Sequence, residues 1–146
     1  MPIPPSLLNR PGALITIAAR TGQELAKRRL NPMGLSVQMC GVMNLLADGP
    51  VSQHALGAQL GIDRTTVVEL IDDLKKQGVV ERRRNPADRR SYALHLTAKG
   101  RTVQKRATKA FDAAVDEFFG PLTSAERKAL ADMLTRMILK AQAKLA

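Results

Sequence analysis

Apolar residues recur along this chain at two different spacings, and the change from one to the other marks out its elements. Leu14, Ile17, Ala18 and Leu25 lie three, four or seven apart and predict a helix from Ala13 to about Leu30, with Asn31, Pro32 and Gly34 ending it. Ser36 is placed to cap a second helix bearing Met39, Cys40, Met43 and Leu46, which stops at Asp48, Gly49 and Pro50. Ser52 is a suitable N-cap for a short third helix with Leu56 and Leu60, and Gly61 follows where a left-handed residue is commonly needed. Asp63 caps a fourth helix, 64–77, whose Val67, Leu70, Ile71 and Leu74 share one sector, and Gly78 closes it.

Past Gly78 the spacing drops to two. Tyr92, Leu94 and Leu96 alternate with Ala93 and His95, so strands are expected over 79–84 and 91–96, with Asn85, Pro86 and Ala87 as turn chemistry. The pattern describes a hairpin with a long charged tip. Helical spacing resumes after Thr97, with Val103, Ala107, Ala110, Phe111, Ala114, Val115 and Phe118 on one stripe to about Phe119. After Gly120 and Pro121, Thr123 and Glu126 form a capping box for a last helix with Leu130, Leu134, Met137, Ile138 and Ala141 on its apolar face.

Two helices joined through a short glycine-containing turn, then a hairpin, form a winged helix-turn-helix. The expected fold is therefore mainly α with a small β-hairpin wing (α+β). The chain divides into a flexible proline-rich arm over 1–12, an N-terminal helix over 13–34, the winged domain over 35–97 and C-terminal helices over 98–146. A winged domain of that length cannot bury the stripes from Val103 to Phe118 and from Leu130 to Ile138 by itself. The terminal helices are accordingly expected to serve dimerisation, most simply with a second copy.

Charge directs this architecture toward a ligand class. Lys and Arg number 23 against 13 Asp and Glu, for a net charge of +10 in 146 residues. A polyanion is the expected partner. The densest charged run, Glu81 to Arg84 and Asp88 to Arg90, falls in the candidate hairpin. Aromatics are only 3% of the chain, which disfavours base stacking on single strands and puts duplex DNA ahead.

The outward face of the fourth helix offers Arg64, Thr65, Thr66, Val68 and Glu69 to the major groove. Ser52, Gln53, Arg82 and Arg84 are candidates for the phosphate backbone, and Asp88, Arg89 and Arg90 for a wing that enters the minor groove. Asp72 and Asp73 would repel phosphate but sit in the second half of the helix, where it leaves the groove.

These residues resemble the MarR family of winged-helix transcription regulators. The run DRRSYALHLTAKG, Asp88 to Gly100, is similar to that family's wing and the start of its next helix, and IDRTTVVELIDDLKKQGVVERR to its recognition helix and first wing strand. The resemblance implies an obligate homodimer on a palindromic operator. Arg90 would enter the minor groove, Asp88 would support it, and Thr65 and Thr66 would contact the major groove. It also implies release from DNA by a small aromatic or phenolic anion bound between the dimer helices and the winged domain. Many relatives carry basic residues where this chain has Glu69 and Asp73, so base preference does not carry over.

Other function classes find little support. Two histidines, one cysteine and no glycine-rich phosphate loop offer neither catalytic machinery nor a zinc site, so no enzyme, metal or cofactor is expected. Cys40 lies on an apolar stripe and reads as core packing. No apolar run approaches membrane-spanning length and no leader pattern is seen, so a cytoplasmic protein without membrane contact is expected. The competing function is an architectural or protein-interaction winged module without operator specificity.

Overall fold

The computed structural model describes residues 2–85 and 88–146, with the side chains of Arg89, Arg90 and Ser91 left outside the description. Helix α1 spans Pro11–Leu30, α2 Val37–Ala47, α3 Gln53–Leu60, α4 Arg64–Lys76, α5 Ala98–Phe119 and α6 Ser124–Leu145. Strands β1 (Val51–Ser52), β2 (Val80–Asn85) and β3 (Asp88–Leu96) make one antiparallel sheet in the order β1-β3-β2. This is a winged helix-turn-helix flanked by long helices at both ends.

The caps lie where the sequence placed them. Ser36 accepts from Met39 N at 3.1 Å, Ser52 from Ala55 N at 3.1 Å and Asp63 from Thr66 N at 2.9 Å. Thr97 accepts from Gly100 N at 2.9 Å, and Thr123 with Glu126 closes the capping box before α6. Each cap satisfies a backbone N–H that has no partner inside its helix.

Several expectations need correction. Helix α1 begins at Pro11 rather than Ala13, because proline suits the first helical turn where its missing N–H is not needed. A 3-10 turn over Pro5–Leu7 lies within the proline-rich arm. The strands run longer than 79–84 and 91–96: pairing continues from Arg84↔Tyr92 to Asn85↔Asp88 through a register shift. Asp88, Arg89 and Arg90, read as lying at or near the tip, are the first residues of β3. Pro86 and Ala87, read as turn residues, lie outside the described residues. Strand β1 was missed, since two residues are too few to show alternation; it pairs Val51 with Leu94 and Ser52 with Ala93.

The core collects the apolar faces of α2, α3, α4 and the sheet under the start of α5. Leu56, Val67, Ile71, Leu74, Val42 and Met43 are at most 2% exposed, and Leu30, Leu94, Leu96 and Ala107 belong to the same cluster. Burial of this set, at roughly 25 cal/mol per Å² of apolar surface, holds α4 against the domain. Cys40 belongs to the same cluster, and burial, with the charge of Asp112 second, pushes its thiol pKa up. A protonated, enclosed thiol is packing material rather than a nucleophile.

At the seam between α2 and α5 the side chains of Asn44, Gln104 and Thr108 bond to one another. Asn44 Oδ1 accepts from Gln104 Nε2 at 2.9 Å and from Thr108 Oγ1 at 2.7 Å. Single polar positions inside helical stripes carry no sequence signal for such a network. It ties the winged domain to the long helix, because these half-buried groups would lose hydrogen bonds if the seam opened.

Candidate nucleic-acid interface

Helix α4 is held at both ends with its outer face free. At its start Asp63 accepts from the backbone N–H of Thr66 through Oδ1 and from the Thr66 hydroxyl through Oδ2 at 2.6 Å. Those hydrogen bonds, the side-chain one foremost, hold the Asp63 carboxyl below its usual range. At its end Lys99 donates to the carbonyl of Gln77 at 2.8 Å, and the Thr97 hydroxyl to that of Gly78 at 2.6 Å. A cation on the last carbonyls complements the helix dipole. Gln77 also donates to Gly34 O at 3.2 Å, tying this end to the turn before α2.

Close contact between α3 and α4 sets the angle of the reader. A Cβ on Gly57 would lie 3.1 Å from both Ile62 O and Val67 Cγ2, so the glycine lets the helices meet. Gly61 makes the turn with φ 63°, a left-handed value that other residues seldom adopt. Arg64, Thr65, Val68 and Glu69 are exposed on the opposite face, while Thr66 is half-buried with its hydroxyl proton committed to Asp63. Of the five residues read from the sequence, four are therefore open, and Thr66 serves first as part of the cap.

The sheet register determines which wing residues face the reader. Val80 pairs with Leu96, Arg82 with Leu94 and Arg84 with Tyr92, so these six share one face. Near the domain that face is core: Val80, Leu94 and Leu96 are buried. Farther out it becomes Arg82, Arg84 and Tyr92, all exposed. Arg83 lies on the reverse side and pairs with Glu81.

Arg82 reaches across to α3, donating from Nη2 to Gln53 Oε1 at 2.5 Å. Between them an open groove of about 950 Å³ runs along the start of α3, the α3–α4 turn, Arg64 and the inner wing face with Arg82 and Tyr92. Ser52 and Gln53 line it, and the Ser52 hydroxyl also caps α3. The backbone candidates Ser52, Gln53 and Arg82 thus meet in one place. Tyr92 and His54 line the same groove and were not read from the sequence as site residues. Alternation put Tyr92 on the side of Leu94 and Leu96, and only the register shows that this side turns toward α3 and α4 at its open end. Asp88 is exposed at the start of β3, and the side chains of Arg89 and Arg90 lie outside the described residues.

Among the described residues no group of acidic, histidine or cysteine side chains is arranged to hold a metal ion, and no helix is long and apolar enough to cross a membrane.

Comparison with known proteins bears on the same region. The model of the MarR family matches residues 33–91, from the turn before α2 into β3. The transcriptional regulator HosA of Escherichia coli O111:H- is 30% identical over 98 residues, 66% of this chain and 73% of that protein. Among solved structures, CouR from Rhodococcus jostii RHA1 bound to p-coumaroyl-CoA superposes with a TM-score of 0.80 at 26% identity, covering 92% of this chain and 95% of CouR. BpsR of Bordetella bronchiseptica, whose DNA binding is regulated by 6-hydroxynicotinic acid, gives a TM-score of 0.79 at 26% identity over 94% of this chain and 97% of BpsR.

Proposed function

The chain belongs to the MarR family of winged-helix transcriptional regulators, and from that premise we propose that it is a repressor binding a palindromic DNA operator as a homodimer. What carries this reading is that the start of α4, at Arg64, and the inner face of the wing, at Arg82 and Tyr92, line one groove, with Thr65, Val68 and Glu69 exposed on the same helix. Arg64, Thr65, Val68 and Glu69 read base edges and flanking phosphates in the major groove, with Thr66 beside them, its hydroxyl donating to Asp63 and its oxygen left to accept. Ser52, Gln53, Arg82 and Arg84 meet the backbone, and Arg90, supported by Asp88 and beside Arg89, enters the minor groove.

The homodimer is favoured by α6, which has no buried residue in the single chain and exposes Met137 by 52% and Ile138 by 53%. A second copy covering that face would set two recognition helices about one helical turn of DNA apart. Release by a small aromatic or phenolic anion is part of this reading, and it is supported by the likeness to CouR and BpsR, whose structures concern p-coumaroyl-CoA and 6-hydroxynicotinic acid. The family's regulators act on transcription by binding, and no catalytic role is proposed.

Selection of bound duplexes from a random pool tests the reading. Two half-sites about 10 base pairs apart, centre to centre, are expected. On the selected site Arg90→Ala should bind about tenfold or more weakly with the dimer intact. Salt-sensitive binding to every duplex, with no preferred palindrome, would reject operator recognition in favour of an architectural role.

A further inference from the structure

The groove between α3 and the wing lies where a duplex bound in the proposed manner must place a backbone strand. A recognition helix in the major groove and a wing in the adjacent minor groove are separated by one sugar-phosphate ridge, and that ridge has to cross the space between the two protein elements. In this chain that space is the groove lined by Gln53, Arg64, Arg82 and Tyr92.

Its chemistry suits such a ridge. Tyr92 is the chain's one tyrosine and is 50% exposed, whereas Phe111, Phe118 and Phe119 are half-buried. A phenol offers an apolar ring to a deoxyribose and an O–H donor to a phosphate oxygen. Arg82 spends one N–H on Gln53 Oε1, which fixes the guanidinium and leaves its other N–H groups for an anion. Asp63 also lines the groove, but both of its oxygens accept from Thr66 in the first turn of α4.

We propose that Gln53, Arg82 and Tyr92 form a cradle for a backbone phosphodiester of the operator, in which Arg82 and Tyr92 contact the DNA and Gln53 is a positioning residue that aims Arg82. The cradle rests on the winged-helix reading above and changes part of it: Gln53 acts through Arg82 rather than as a separate phosphate ligand. Because a phosphodiester carries no base identity, the cradle sets register and affinity and leaves sequence preference to α4.

The test is binding of selected operator DNA by the full-length chain, followed across a series of salt concentrations. Arg82→Ala should lower the slope of log affinity against log salt by about one per protomer, about two for the dimer. Gln53→Ala should weaken binding several-fold in the wild-type background and have no effect in Arg82→Ala. Tyr92→Phe, which keeps the ring and fold, should weaken binding about tenfold through loss of a hydrogen bond to a charged group, with the selected sequence unchanged. Multiplicative losses from Gln53→Ala and Arg82→Ala would show two independent contacts and overturn the positioning role. Wild-type affinity in Tyr92→Phe would remove Tyr92 from the cradle. A wild-type chain that selects no sequence but loses affinity in these variants would keep the cradle while rejecting the operator.

Discussion

The winged half of this chain and its last helix treat apolar side chains in opposite ways. From Leu30 to Ala107 the stripes close on one another within a single copy, and residues such as Leu56, Ile71 and Leu74 show no exposed surface. Helix α6 has a capping box at its start and an apolar face, yet none of its residues is fully buried: Leu130 and Leu134 are half-buried, and Met137, Ile138 and Leu145 are exposed. The difference teaches that helix formation and core formation are separate matters. Local caps and spacing suffice for α6 to be a helix, whereas its packing requires surface that one copy does not supply.

The comparison is broken most sharply at α6. Ile138→Asp should convert the proposed dimer to a monomer in sedimentation analysis and lower operator affinity about a hundredfold or more, since the second half-site then contributes nothing. An unchanged dimer mass would place the partner surface elsewhere.

On the winged side the largest effect is expected at Gly100, in the first turn of α5. A Cβ there would lie 2.0 Å from the carbonyl oxygen of Val79, and backbone cannot yield as a flexible side chain can. Gly100→Ala should cost about 3 kcal/mol in thermal or denaturant unfolding. A melting temperature equal to wild type would show that α5 can move away from the wing without loss.

A smaller effect concerns the cap of the recognition helix. Asp63 has a folded-state pKa below its ordinary 3.8, so its stabilisation is fully present above that value and fades as pH falls through the lowered one. Asp63→Asn keeps a capping side chain without the charge. Melting temperatures of the two proteins should therefore differ most near neutral pH and converge in acid; a constant difference at every pH would separate the cap from the carboxylate's charge.

Much of the reader was legible in the sequence because it depends on local chemistry. Ser36, Ser52, Asp63, Thr97 and Thr123 each bond a backbone N–H within a few residues, so their roles follow from spacing alone. Val67, Leu70, Ile71 and Leu74 occupy one sector of α4, and the same periodicity that placed them inside placed Arg64, Thr65, Val68 and Glu69 outside. The wing was harder. Alternation revealed strands, but their ends depended on which residues paired, and the shift between Arg84 and Asn85 leaves no mark in composition.

By itself, then, the sequence determined the order of helices, their caps, the helix-turn-helix and a basic hairpin, since these arise from contacts between near neighbours and from total charge. The tertiary structure decided what meets across distance: Arg82 with Gln53, Asn44 with Gln104 and Thr108, and Tyr92 in the groove beside the reader. Such pairs are 29, 60 or 64 residues apart. Only the packing of helices and the register of the sheet bring them together, and neither is written in the spacing of residues along a single element.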